Sequence, residues 1–215
     1  ARIAANEFID VYKMKVVQIP RHRKNIRKDH QPRVYLTTSE KLIEAIKLAE
    51  KLHQKGRPIL LIAGSVENSE IVSEILLNRG IPHNLLNARN EANEATIIKN
   101  AGQKNAVTVS TNMAGRGTDI KLGPGVAKLG GLAVIGTEML DPRVAEQLQG
   151  RAGRQGDPGD SWFFISLEDN FVSQNSSPVI RKYYRRHIKH FNHQAKPHRL
   201  HNPRILLSLL LLRDK

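Results

Sequence analysis

Four short, almost wholly apolar runs recur along this chain: Ile59-Leu60-Leu61-Ile62-Ala63, Ala106-Val107-Thr108-Val109, Leu132-Ala133-Val134-Ile135, and residues 161–167. A run that is apolar at successive positions is a strand buried on both faces. Between these runs the apolar spacing changes from two to that of a helix. Thr37-Thr38-Ser39-Glu40 forms a capping box opening a helix with Leu42, Ile46, Ala49 and Leu52 on one face. Gly56 stops it and Pro58 follows. Residues 67–79 and 91–101 read as further helices, closed by Gly80 and Gly102, and residues 83–86 as a strand. Buried strands alternating with helices predict an α/β fold, a parallel sheet with helices on both faces in three layers.

Three segments are expected. Residues 1–33 read as an irregular entry segment with one short strand at Val16-Val17-Gln18-Ile19, closed by Pro20. Residues 34–170 carry the alternation. Residues 171–215 read as a basic, histidine-rich helical extension. No internal repeat is visible. Hydrophobic content is 40%, sufficient for a core, and there are no cysteines, which excludes disulfides and thiolate metal sites. The first ten residues lack the apolar centre of a secretory signal, and the longest apolar run, residues 205–212, is far short of a membrane span.

Net charge is +14, unevenly spread. No acidic residue lies between Asp169 and Asp214, where Arg181, Lys182, Arg185, Arg186, Lys189, Lys196, Arg199, Arg204 and Arg213 fall. A second basic run is Arg21, Arg23, Lys24, Arg27 and Lys28. Such patches attract nucleic acid, anionic lipid or an acidic protein face; a merely solvated face is the alternative. The tail also holds five of the nine histidines: His187, His190, His193, His198 and His201. No carboxylate or cysteine stands near them and the surrounding charge opposes a cation, so no metal site is expected.

In doubly wound sheets, ligands sit past the carboxyl ends of strands. After Val109 comes Ser110-Thr111-Asn112-Met113-Ala114-Gly115-Arg116-Gly117-Thr118-Asp119-Ile120. Glycines let backbone approach a ligand, an arginine can fork onto phosphate, and Asp119 can accept from sugar hydroxyls or orient the arginine. Taken alone, the loop is more simply a tight glycine turn with a surface arginine. A second constellation follows, Gln147-Leu148-Gln149-Gly150-Arg151-Ala152-Gly153-Arg154-Gln155-Gly156-Asp157. A helix over 143–154 would put Gln147, Arg151 and Arg154 on one face beside an apolar face of Val144, Leu148 and Ala152. Two convergent arginines suit a departing γ-phosphate. Yet the chain holds no G-x-x-x-x-G-K-S/T phosphate loop, and no strand ends in an Asp-Glu pair for Mg²⁺. Arginine fingers without a nucleotide cradle are the inventory of the second half of a two-domain ATPase.

At these residues the sequence resembles a known family. Thr111 through Ile120 is similar to the fifth superfamily-2 helicase motif in its SecA form, and Gln147 through Asp157 to the sixth. Ile26-Arg27-Lys28-Asp29, His83-Asn84-x-Leu86-Asn87-Ala88, residues 130–138 and Ser166-Leu167-Glu168-Asp169 also resemble the second nucleotide-binding domain of SecA preprotein translocase ATPases. The resemblance covers roughly residues 7–170. It implies a RecA-like domain that completes an ATP site, with Arg151, Arg154 and Gln147 catalytic. Gly115, Arg116, Gly117, Thr118 and Asp119 would touch the nucleotide. A first motor domain outside this chain would supply the phosphate loop and hold Mg²⁺. Implied partners are that domain, a SecY-type channel and preprotein, at the inner face of a bacterial plasma membrane. Anionic lipid and a second copy of the protein are further candidates. Met139-Leu140-Asp141-Pro142, Gln149, Ala152 and the short stretch 122–129 depart from housekeeping SecA and point to an accessory one. Two other readings compete: the second domain of an RNA helicase, and a docking module without catalysis.

Overall fold

The computed structural model describes residues 5–17, 19–88, 94–112, 118–138, 141–176 and 178–193. Its centre is a sheet whose strands all pair in parallel. The strands are β1 (Lys28–Asp29), β2 (Arg33–Tyr35), β3 (Ile59–Ala63), β4 (Asn84–Leu86), β5 (Val107–Thr111), β6 (Leu132–Gly136) and β7 (Gly159–Ser166). They lie in the order β1-β7-β6-β3-β5-β4, and β2 continues the pairing along β7.

The helices are α1 (Ala5–Tyr12), α2 (Thr38–His53), α3 (Val66–Asn78), α4 (Glu94–Asn100), α5 (Pro142–Gln149), α6 (Asn170–Asn175) and α7 (Pro178–His193). Thr37 caps α2 by accepting from Glu40 N at 3.2 Å, and Glu40 in return accepts from Leu36 N, one residue upstream of the expected cap. Ser65 caps α3 in the same way through Asn68 N.

Strand alternation sorts the core into two layers. Ile59, Leu61, Val107, Val109, Ala133 and Ile135 pack under α2 and α3. Leu60, Ile62, Leu132, Val134 and Phe163 face the other way, against Ile98, Leu148 and Ala152. Each central strand is buried at every position; β3 and β6 are apolar throughout, while β5 buries Thr108 and Ser110 beside its valines.

The first thirty residues differ from expectation. Residues 16, 17 and 19 form no strand, and position 18 lies outside the described residues. Val17 and Ile19 are 82% and 86% exposed, with no neighbouring strand to satisfy their backbone. The edge of β7 is taken instead by Lys28–Asp29 and Arg33–Tyr35, upstream of and across the expected domain start at 34. The helix at Ala5–Tyr12 was not anticipated; no residue of it is buried.

Polar braces tie the layers together. Arg57 donates to Asp160 at 2.7 Å and to the carbonyls of Gly130 and Gly131, while His30 bonds the other Asp160 oxygen and stacks on Trp162. Lys41, on α2, is buried in an ion pair with Asp169.

Candidate functional site

The candidate arginines stand at the end of α5. Asp141 opens that helix by accepting from Arg143 N at 2.8 Å, and Pro142 occupies a first-turn position where its missing N–H loses nothing. The expected helix over 143–154 stops at Gln149. Beyond it, Arg151 N and Ala152 N reach back only three residues, to Leu148 O and Gln149 O. Gly153 then turns left-handed at φ 68°, followed by Gln155 at 54° and Gly156 at 83°. Glycine makes such a turn accessible, and no helix continues through it. Val144, Leu148 and Ala152 do face the core together. Gln147 is exposed on α5 and shares no continuous helical face with the two arginines.

Arg154 is anchored by one edge. Its Nε donates to Gly150 O at 2.9 Å, and its Nη1 to Asp119 Oδ1 at 2.8 Å and Thr118 O at 3.4 Å. Nη2 has no partner among the described residues. Thr118 and Asp119 are both exposed. The next residue, Ile120, is buried in the core layer of α5, so the segment turns back along that face. Arg154 and Asp119 thus join the loop that leads into β7 to the segment that leaves β5. Gly115, Arg116 and Gly117 lie outside the described residues.

Arg151 is more buried. Burial pushes its guanidinium below the ordinary arginine value, the Arg154 charge adds to this, and Glu94 opposes it. Its hydrogen bond to Asn112 O, at 3.5 Å, is long. An arginine stays charged in proteins, so two half-buried ones side by side attract an anion. Alongside lies a cleft of about 510 Å³ lined by Arg21, Arg23, Arg27, Arg154, Asp119 and the loop glycines. The donor set fits a phosphate group; among the described residues no three His, Cys, Asp or Glu come together as metal ligands.

One polar centre was not foreseen as chemistry. Glu138 follows β6, and its carboxylate lies 1.5–2.3 Å from where a Cβ on Gly64 would stand. Asn68 Nδ2 donates to it at 3.1 Å. Burial raises its pKa above 4.5, Lys41 pulls it back, and Asp169 adds to the rise. From β3 the chain continues toward one sheet edge and from β6 toward the other. Glu138 thus sits at the switch point where open α/β sheets place ligands. A Thr-Glu pair directly after a buried strand was the available signal.

Comparison with known proteins agrees on one family. The model of the SecA P-loop domain matches residues 24–127 and 123–190. The chain is 61% identical, over its whole length, to 27% of the protein translocase subunit SecA 2 of Lactobacillus johnsonii. It is 56% identical over 80% of its length to 20% of the protein translocase subunit SecA of Thermotoga neapolitana. It therefore spans about a quarter of these relatives. Among solved structures it resembles Mss116p DEAD-box helicase domain 2 bound to an RNA duplex, at 14% identity and a TM-score of 0.52, covering 88% of this chain and 70% of that one. At that identity the likeness shows the fold, which is RecA-like.

Proposed function

This chain belongs to the SecA family, and from that membership we propose that it is the second motor domain of an accessory SecA, completing the ATP site of a protein-translocation ATPase. The observation that carries this reading is the arginine loop. Arg154 is anchored through Nε and Nη1 and keeps Nη2 for an anion, and Arg151 stands beside it, half-buried and weakly bonded. The 61% match to a SecA 2 supports the accessory form.

Bound nucleotide supplies the phosphoryl group that passes to water. Arg154 and Arg151 hold the charge that grows on the γ-phosphate; Asp119 fixes the orientation of Arg154. Thr118, the loop Gly115-Arg116-Gly117 and Asp119 line the nucleotide from this side, with Gln147 at the margin. The phosphate loop and the Mg²⁺ carboxylates come from a first motor domain. Nucleotide-driven closure of the two halves is transmitted to a SecY-type channel and preprotein at the cytoplasmic membrane face. No helix among the described residues is long and apolar enough to cross a membrane.

The test is Arg154→Ala in the full-length protein. Removing one such arginine lowers phosphoryl transfer by ~10³–10⁵. Turnover is expected to fall by that order while the thermal unfolding midpoint stays put, because the side chain is 37% exposed and supports no core contact. Unchanged turnover overturns the assignment.

A further inference from the structure

The arginine loop is bonded to the end of α5 but pairs with no strand. Residues 150–156 contain three left-handed residues, Gly153, Gln155 and Gly156, and belong to no strand. The segment that lies across them is the first basic run. The Arg27 stem packs directly on Gly153: a Cβ on that glycine would stand 2.6 Å from Arg27 Cβ. Arg23 covers Gly156 in the same manner, its Cβ 3.1 Å from the equivalent point, and donates to Gln155 O at 3.2 Å.

Arg27 does more than cover. Its Nη1 donates to Ala152 O at 3.4 Å, and its Nε and Nη2 fork onto the two oxygens of Asp29 at 2.7 and 3.0 Å. Asp29 in turn accepts from Ser161 Oγ, on β7, at 2.6 Å. Asp29 is also in ladder register with Ser161. A bonded path thus runs from the loop carbonyl through one guanidinium and one carboxylate to the sheet. The Arg27 side chain is 12% exposed, unlike that of a solvated surface arginine. Only a planar fork can hold a carboxylate through two donors and a carbonyl through a third.

Resting on the reading of Arg151 and Arg154 given above, we propose that Arg27 is a positioning residue for the ATPase reaction: it fixes the arginine loop to β7 and so sets where Arg154 meets the γ-phosphate. Arg27 lines the cleft, but its Nε, Nη1 and Nη2 are directed at Asp29 and at Ala152 O, so it acts through the loop. Within the basic run, Arg27 is then an internal brace and Arg23 a cover for the loop, while Arg21, Lys24 and Lys28 remain exposed.

The experiment uses the full-length protein with Arg27→Lys, and Arg154→Ala as reference. Lysine keeps the charge and most of the stem but loses the fork. Steady-state kcat and KM for ATP are measured, with binding of ADP and of ADP–aluminium fluoride and the thermal midpoint. Misplacing a catalytic group by about an ångström slows reaction by up to ~100-fold. Arg27→Lys is expected to lower kcat by roughly 10- to 100-fold and to weaken ADP–aluminium fluoride by a similar factor, with ADP binding unchanged. Wild-type kcat overturns the proposal. So does ADP binding that weakens in step with kcat, which makes Arg27 a direct phosphate ligand. A kcat loss that only follows the fraction of unfolded protein also overturns it, leaving a structural role. If Arg154→Ala keeps its turnover, the reading of the arginines fails first; if Arg154→Ala is inactive and Arg27→Lys is not impaired, this inference alone fails.

Discussion

Glu138 shows how a single residue's surroundings set its titration. The carboxylate rests against the Gly64 backbone with one amide donor, and its burial outweighs the nearby Lys41 charge. Its pKa is raised above 4.5 in the folded protein, so the folded state binds the proton more tightly than the unfolded chain. That contribution to stability is fully present below pH 4.5 and is lost as pH rises through the higher folded value. Glu138→Gln removes the titration. Its urea midpoint, measured against pH beside wild type, is expected to show a difference curve that changes across that window and is flat below it; a flat difference throughout would contradict the burial argument. Arg151 and Arg154 could be singled out in the sequence as candidates, because paired arginines among glycines are poorly explained by packing. Their placement could not be read from it. Gly150 and Gly153 end α5 before Arg151 and Arg154 can share its face with Gln147. Spacing alone does not state the sign of φ. Glu138 escaped notice because its setting depends on Gly64, a partner distant in sequence.

At the level of elements, α2 is held to the sheet by apolar packing and by one buried ion pair. Lys41 pairs with Asp169, which also accepts from Ser166 N at 3.0 Å and Ser166 Oγ at 2.8 Å at the end of β7. The two partners are not equivalent. Asp169→Ala strands a buried ammonium and frees two donors at once. Lys41→Met leaves a carboxylate that still has the Ser166 donors. Breaking a buried pair costs about 3–5 kcal/mol. Urea unfolding is expected to place Asp169→Ala in that range and Lys41→Met below it; the reverse order would show that the lysine, not the aspartate, organises this corner. β3 and β6 were legible because each is apolar at every position, β5 and β7 through their largely apolar segments 107–109 and 162–165, and α2 because Thr37 and Glu40 mark its start. β1 and β2 were not. Lys28–Asp29 and Arg33–Tyr35 are short and mostly exposed, and they are strands only because β7 offers an unpaired edge. Val16-Val17-Gln18-Ile19 had the better strand composition, but Val16, Val17 and Ile19 pair with no strand.

For the molecule as a whole, a net charge of +14 and a helicase-like fold leave RNA as the obvious rival ligand. Two observations weaken that rival. Part of the positive charge is spent internally: Arg27 on Asp29, Arg57 on Asp160, Arg154 on Asp119. The remaining concentration lies on α7, where Arg181, Lys182, Arg185 and Arg186 line a cleft of about 590 Å³ with Leu167, and the exposed ring of Tyr183 beside them is already stacked on His187. Binding to RNA there would be non-specific and would fall steeply with salt. Under the proposed function coupling is different, since a stimulating partner would shift the closure of two motor halves and so raise kcat. In the full-length protein, turnover is expected to rise when preprotein and channel-bearing membranes are added together, and to do so at physiological salt. RNA is expected to bind weakly at low salt, release as salt increases, and leave kcat unchanged. Stimulation by RNA that persists at physiological salt would reverse this ranking and make the chain half of a helicase, with the same arginines serving the same phosphate.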